Sequence, residues 1–333
     1  MVKMRHNSIL SLALTAVAAL ALTSCEKVSP IGVLVSGTGV EDRVKMSEVY
    51  YQNYMGDMDF SYTKEDYSFL VGSDSHVTDD TGRMDEMFDL AIEHGDEFVA
   101  HLGDIADTKA EYYINLQESI RRAKLKYLNK NYDYDEKTET YKDEFGIEYT
   151  EDDIRFPFFP VVGNHDITHN GWAMWSNIFH SSFYEFVVFL DDNFEQCDHY
   201  IFLDSASGTL GKRQIELIEE GVLDAKEVTK VRHTFVFTHT NIFRPSSLQF
   251  ASTFPREEQY FLLNQFKEWN ADIVFCGHVH KWDDREVGGV RYITLDSMSE
   301  RNSPEPGDYL VRVTVKKSGE LVVEKVKMNY KKP

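Results

Sequence analysis

The sequence predicts an α/β fold whose sheets have buried strands. From residue 67 onward, short apolar segments alternate with longer amphipathic segments, and polar or glycine-containing turns separate them. This alternation is typical of strands and helices that pack in layers. The length of 333 residues allows one large domain or two smaller ones. The composition, with 42% hydrophobic residues and only 8 prolines, predicts a folded core rather than a disordered chain.

The predicted elements follow one another along the chain. Strands are expected at residues 69–71, 98–102, 199–203, 234–237 and 272–275, an extended segment at 156–162, and helices at 83–94, 110–128, 212–220 and 257–269. Two further apolar segments, 309–315 and 321–326, flank a turn that contains Gly319, which predicts a closing C-terminal β-hairpin.

Two regions do not share this alternation. Residues 26–63 are mixed and only weakly periodic, and we interpret them as a tether followed by an N-terminal extension. Residues 131–155 are rich in Tyr, Asp, Glu and Lys, which predicts a solvated surface insertion. The remaining chain, 64–333, is expected to form the main domain around that insertion.

The first 25 residues have the pattern of a signal peptide. Lys3 and Arg5 precede an apolar run at 9–22, which is too short to span a bilayer. The run ends in Leu22-Thr23-Ser24-Cys25, which resembles the bacterial lipoprotein box and implies a lipid on Cys25. An ordinary secretory signal is the alternative, and both predict an extracytoplasmic protein. Inner-membrane retention is associated with Asp after the cysteine, so Glu26 favours the outer membrane, facing either the periplasm or the outside.

Charge and cysteine content exclude several classes of function. The 56 acidic and 35 basic residues give a net charge of −21, which repels nucleic-acid backbones and disfavours long nucleic acid as a partner. Three cysteines without a CxxC pair indicate neither a disulfide scaffold nor a zinc ribbon. Cys276 lies in an apolar run that favours a buried thiol, although pairing with Cys197 stays open.

Residue types that bind metals follow five of the predicted strands. The carboxyl ends of strands are where open α/β sheets place their ligand sites. The five segments are Asp74-Ser75-His76, Gly103-Asp104-Ile105-Ala106-Asp107, Gly163-Asn164-His165-Asp166, His239, and Gly277-His278-Val279-His280.

The chemistry of these side chains favours transition metals. Imidazole, carboxylate and amide oxygen suit zinc, manganese or iron, whereas calcium prefers oxygen alone and iron–sulfur clusters need thiolates. If seven of these side chains act as ligands, they are too many for one ion. They suit two divalent ions about 3.5–4 Å apart that share a carboxylate, clamp a phosphate and convert a bridging water into hydroxide.

The five motifs, in this order, resemble those of the calcineurin-like metallophosphoesterase superfamily over residues 67–296. The resemblance implies two facing mixed β-sheets flanked by helices, as a four-layer sandwich. It further implies that Asp74, His76 and His280 hold one metal, that Asn164, His239 and His278 hold the second, and that Asp104 bridges them. His165 would face the leaving-group oxygen, and Asp166 would orient His165. Purple acid phosphatases have a tyrosine where this chain has Asp107, so the resemblance does not extend to a ferric-tyrosinate centre.

These observations predict a binuclear metal-dependent hydrolase of small phosphate esters outside the cytoplasm, with monoesters and diesters both open. The acidic charge disfavours a nuclease. An alternative from another class is a non-catalytic envelope lipoprotein that binds metal or a phosphorylated glycan.

Six further residues have two interpretations each. Asp107 is interpreted as the N-cap of the next helix rather than a site residue, and the spacing of Trp172, Trp175 and Phe179 favours packing over a substrate platform. His169 is interpreted as structural, with substrate contact as the alternative, like the remaining histidines outside the motifs. Arg244 is interpreted as solvated, with a phosphate contact as the alternative.

Overall fold

The computed structural model describes residues 38–54, 65–107, 109–191, 193–225, 230–243, 254–299 and 309–330. The expected signal peptide, Cys25 and Arg244 lie outside these ranges. Among the described residues, no helix has both the length and the apolar character needed to cross a bilayer.

Two mixed β-sheets form the centre of the molecule. The strands of the first sheet are β1 (Tyr67–Gly72), β2 (Phe98–His101), β6 (Phe158–Pro160), β13 (Tyr309–Val315) and β14 (Leu321–Lys327). Those of the second are β7 (Tyr184–Phe189), β8 (Gln196–Leu203), β9 (Lys230–Thr238), β10 (Ile273–Cys276), β11 (Asp283–Val287) and β12 (Val290–Thr294). The strand order is β14-β13-β1-β2-β6 in the first sheet and β11-β12-β10-β9-β8-β7 in the second.

Helices cover the outer faces of both sheets. They are α1 (Val40–Tyr54), α2 (Gly82–His94), α3 (Ala110–Asn131), α4 (Gly171–Phe179), α5 (Gly211–Glu219) and α6 (Arg256–Glu268), with short 3-10 helices at Glu151–Asp153 and Thr168–Asn170. Apolar residues of α2, α3 and α4 pack on the first sheet, and those of α1, α5 and α6 pack on the second.

Aromatic side chains fill the space between the sheets. Phe69 stacks on Phe98 within the first sheet at a centroid distance of 4.8 Å, and it contacts Tyr200 and Phe235 of the second sheet at 5.5 and 5.2 Å. Edge-to-face contacts of this kind add to the stabilisation from burial. The four-layer sandwich expected from the motifs is therefore confirmed.

The predicted strands and helices are present within a few residues of their expected bounds, and the C-terminal hairpin pairs Tyr309 with Lys327. The strands β7, β11 and β12 and the helices α1 and α4 are not among the elements expected from the sequence. The β11 strand is polar and mostly exposed, so it lacks the apolar alternation that identifies a half-buried strand.

The insertion at 131–155 has secondary structure of its own. Its strands β3 (Asp133–Asp135), β4 (Thr140–Lys142) and β5 (Glu148–Tyr149) form a small antiparallel sheet. Tyr141 and Ile154 are buried against Leu128 at the end of α3, while most other side chains of the insertion are exposed or half-buried. The segment lies at the surface, as its charge predicts.

The parallel pairing of the central strands positions the motifs. β1, β2 and β6 run parallel in the first sheet, and β8, β9, β10 and β12 run parallel in the second. Their carboxyl ends therefore share one edge of each sheet, where the loops with the predicted ligands begin.

Candidate metal centre

The motif loops bring the predicted ligands into two adjoining groups. Candidate ligand atoms of Asp74, His76, Asp104 and His280 lie within 4.8 Å of one another, and so do those of Asp104, His239 and His278. Asp104 belongs to both groups, which is the position expected of a bridging carboxylate.

The first group is compact, and three of its four residues are buried. Nε2 of His280 lies 3.0 Å from Oδ1 of Asp74, and Nε2 of His76 lies 3.9 Å from Oδ2 of Asp104. Both ring nitrogens of His76 are buried and make no hydrogen bond among the described residues. A buried nitrogen with no hydrogen-bond partner is costly unless another group binds it. This group therefore fits a bound cation.

The second group includes Asn164. Nε2 of His239 lies 2.9 Å from Oδ1 of Asn164, 3.1 Å from Nδ1 of His278 and 3.5 Å from Oδ2 of Asp104. Nδ1 of His239 donates to the Leu102 carbonyl at 2.7 Å, which leaves Nε2 as the ligand atom. All seven predicted ligands thus meet in one place, and their nitrogen and oxygen donors suit a divalent transition metal.

Backbone conformation turns the ligands toward each other. Five of them have a left-handed φ, namely Asp74 (52°), His76 (44°), Asp104 (52°), His278 (68°) and His280 (54°). Few non-glycine residues adopt this region, and such strain is concentrated at functional sites. The sharp turns let each loop present its side chains directly after its strand.

Glycines allow two of the loops to touch. A Cβ on Gly163 would lie 2.1 Å from the backbone nitrogen of Asp104, and one on Gly103 would lie 2.7 Å from the nitrogen of Gly163. Gly103 also has a φ of 89°. Any larger residue at Gly163 would therefore push the Asp104 loop away from the site.

The electrostatics favour charged carboxylates here. Burial alone would raise the pKa of Asp74, but His280 outweighs burial and holds the pKa well below its ordinary value. The pKa of Asp104 is lowered in the same way by His239 and His165. Burial would lower the pKa of His239, but the charge of Asp104 raises it to about 9. A metal ion would replace the proton that these anions otherwise hold on His239.

Asp107 lies in the site, and our interpretation of it as a helix cap is wrong. Its Oδ1 is 3.5 Å from Nδ1 of His165 and 3.7 Å from Nδ1 of His76. Burial would raise the pKa of Asp107, but these two histidines hold it well below its ordinary value. The N-cap residue of α3 is Lys109. The available signal was the place of Asp107 in the same motif as Asp104.

Asp166 bonds groups other than the His165 ring that it was expected to orient. Its carboxylate accepts hydrogen bonds from the amides of Ile105 and Gly163 at 3.1 and 2.9 Å and from the hydroxyl of Tyr113 at 3.1 Å. It therefore ties the loop of Asp104 to its own loop and to α3. Burial and the charge of Asp104 raise the pKa of Asp166 to about 7. The carboxylate beside the His165 ring is Asp107 instead.

Most of the other residues considered from the sequence pack in the protein interior rather than contact the ligand groups. Trp172 and Trp175 are buried in the layer beneath α4, which confirms the packing interpretation. His169 is exposed and belongs to neither ligand group among the described residues. His101, for which the sequence predicts a structural place, is fully buried, and its Nδ1 accepts a hydrogen bond from the Gly103 amide at 3.2 Å. Burial lowers the pKa of His101 to about 3. Cys197 and Cys276 are buried and are not joined to each other by a disulfide, so the alternative of their pairing is not found.

A known protein family and several solved structures resemble this chain. A family model described as calcineurin-like phosphoesterase matches residues 67–282. The Plasmodium protein described as GAP50, the anchor in the inner membrane complex, is 16% identical with a TM-score of 0.50 over 81% of this chain and 91% of that chain. A dimetal phosphatase from Danio rerio is 11% identical with a TM-score of 0.43, over 77% of this chain and 98% of its own. An archaeal phosphodiesterase is 13% identical with a TM-score of 0.38, over 78% and 99%. No curated protein gives a significant match.

Proposed function

Because this chain belongs to the calcineurin-like phosphoesterase family, we propose that it hydrolyses small phosphate esters at the metal-ligand cluster. The observation that carries the proposal is the position of Asp104, whose carboxylate belongs to two ligand groups at once. A carboxylate shared in this way is the arrangement of two-metal hydrolases.

The two ligand groups would hold two divalent ions of manganese, zinc or iron. Asp74, His76 and His280 would hold one ion, Asn164, His239 and His278 the other, and Asp104 would contact both. When bound, such a pair polarises a phosphoryl oxygen and makes a water molecule more acidic. The chain itself contributes the geometry, since the strained turns and the close glycine contact fix the ligands before any ion binds.

His165 would supply a proton to the departing alcohol. Its backbone amide donates to Oδ1 of Asp104 at 2.7 Å, which fixes the residue beside the ligand cluster. With Asp107 next to Nδ1, the proton on that nitrogen is stabilised, so Nε2 is the atom available to the leaving-group oxygen. Asp166 holds the loops in register rather than acting on His165.

We extend the proposal to the place of action. The pattern at residues 1–25 favours a lipoprotein anchored through Cys25, which would meet envelope or nutrient phosphate esters rather than cytosolic ones. The net charge of −21 argues against long polyanions as substrates.

An activity screen of the purified protein tests the function. Phosphomonoesters and phosphodiesters would be offered with manganese, zinc or iron, and a chelator-treated sample would serve as the control. We expect product that depends on added metal and disappears with the chelator. Metal binding without turnover of any ester would favour the non-catalytic lipoprotein instead.

A further inference from the structure

A buried ion pair joins the N-terminal helix to the second sheet. Arg43 of α1 donates from Nε and Nη2 to the two carboxylate oxygens of Asp204, each at 2.9 Å, and both side chains are fully buried. Nη2 also donates to the Ser207 hydroxyl at 3.1 Å. Burying two charges costs a large desolvation energy, so a bidentate pair of this kind is weak evidence for stability alone. The better explanation for this ion pair is that it fixes the position of the segment at Asp204.

The segment that Arg43 holds contacts the strand end that carries a predicted metal ligand. Ser205, next to Asp204, accepts hydrogen bonds at its hydroxyl oxygen from the Thr238 hydroxyl at 2.7 Å and from the backbone amides of His239 and Thr240 at 3.1 and 2.9 Å. The Ser205 carbonyl accepts a further bond from the Thr240 hydroxyl at 2.7 Å. Ser205 thus fixes the backbone where β9 ends.

His239 is the residue placed by this contact. Its ring is fixed on one side by the bond from Nδ1 to the Leu102 carbonyl, and its backbone is fixed on the other by Ser205. A change of a few tenths of an ångström in that backbone would move Nε2 relative to Asp104 and Asn164. Groups that orient a ligating histidine typically change metal affinity by about 10- to 100-fold when they are removed.

We propose that Arg43 is a positioning residue for the second metal site, acting on His239 through Asp204 and Ser205. The inference rests on the proposed function only in assuming that His239 binds an ion. Under this proposal α1, which lies in the expected tether and N-terminal extension, helps to position a ligand of the site.

The other contacts of α1 provide a matched control. Glu48 pairs with Arg213 at 2.5 Å, so it also ties α1 to the helices on the second sheet. A substitution of Glu48→Gln removes this ion pair but keeps the Arg43–Asp204 pair and the hydrogen bonds between Gln214 and the Asp204 backbone. The comparison separates attachment of α1 from positioning of the ligand.

The test is a calorimetric titration of manganese into the metal-free full chain. His239→Ala identifies which binding step belongs to the second site. We expect Arg43→Gln to weaken that step by about 10-fold or more and to leave the other step within about 2-fold. Arg43→Lys, which keeps the charge, should restore part of the affinity, and Glu48→Gln should leave both steps unchanged.

Ser205→Ala keeps the Arg43–Asp204 pair and removes the next contact, so it tests the same relay if Arg43→Gln fails to fold. It should weaken the same step as His239→Ala. The inference is overturned if Ser205→Ala leaves that step unchanged, or if a folded Arg43→Gln protein binds both ions as wild type does. Wild-type protein that binds fewer than two ions would overturn the binuclear proposal together with this inference. Thermal unfolding of each metal-free variant distinguishes misfolding from a change at the site.

Discussion

Oδ1 of Asp107 lies 3.5 Å from Nδ1 of His165, although 58 positions separate the two residues in the chain. The contact exists because the loops after β2 and β6 leave neighbouring parallel strands at the same edge. It pairs the imidazole proposed as the proton donor with an anion that holds its proton in place.

Asp107→Asn should lower turnover by about 10- to 100-fold, because the amide keeps the size of the side chain but does not stabilise a charged imidazole. Metal content should stay near that of wild type. Steady-state kinetics and elemental analysis of the same sample would check both. Asp79→Asn, which changes an exposed carboxylate on the loop after His76, is the control and should behave as wild type. Loss of one metal ion in Asp107→Asn would instead identify Asp107 as a ligand.

His165→Ala should lower turnover by about 10²- to 10⁴-fold without loss of metal, since a positioned acid–base group contributes that much. The defect should be smaller for nitrophenyl esters, whose leaving group departs without a proton. Rates for a nitrophenyl ester and an alkyl ester would be compared. The exposed His169, changed to alanine, should leave both rates unaltered. An equal defect for the two esters would contradict the assignment of His165 as proton donor.

Much of the site follows from the sequence because its ligands come directly after strands. Asp74 and His76 follow β1 of the first sheet, and His278 and His280 follow β10 of the second, so the strand prediction places each pair at the carboxyl-end edge of its own sheet. Which side chains then face one another depends on the loops. The φ of 52° at Asp104 redirects the chain so that Asp107 meets His165, while Asp166 turns toward backbone amides. Local sequence patterns do not contain this information about contacts between loops that are distant in the chain.

The missed N-terminal helix has a related cause. An amphipathic helix is recognised by an apolar stripe, but α1 attaches largely through polar contacts. Arg43 reaches Asp204, Ser47 bonds Ser182, and Glu41 accepts from the amides that begin α5. Such pairs join residues more than 130 positions apart, so no local pattern predicts them.

Wild-type protein should contain close to two transition-metal ions per chain, and Asp104→Asn should bind both more weakly, because its carboxylate belongs to both ligand groups. Elemental analysis after exhaustive dialysis would give the stoichiometry. A wild-type value that stays near one at saturating metal would remove the bridging role. So would an Asp104→Asn protein whose two sites both remain filled.

Cys197 and Cys276 should resist alkylation in the folded protein. Both thiols are buried, and burial raises the pKa of Cys276 to about 12, so almost no thiolate forms at pH 8. Mass spectrometry after iodoacetamide treatment should find both cysteines unmodified natively and both modified in denaturant without reductant. A disulfide-linked peptide pair under the second condition would contradict the reduced state of the two cysteines.

The last prediction concerns the anchor. If Cys25 carries lipid, wild-type protein should sediment with membranes and Cys25→Ala should not form the lipidated species. α1 begins at Val40 and joins the folded domain through Arg43, so part of the segment interpreted as tether and N-terminal extension is attached to the domain. Fractionation of cells that make each form would decide the matter, since soluble, unlipidated wild-type protein would end both the anchor and the envelope-substrate argument.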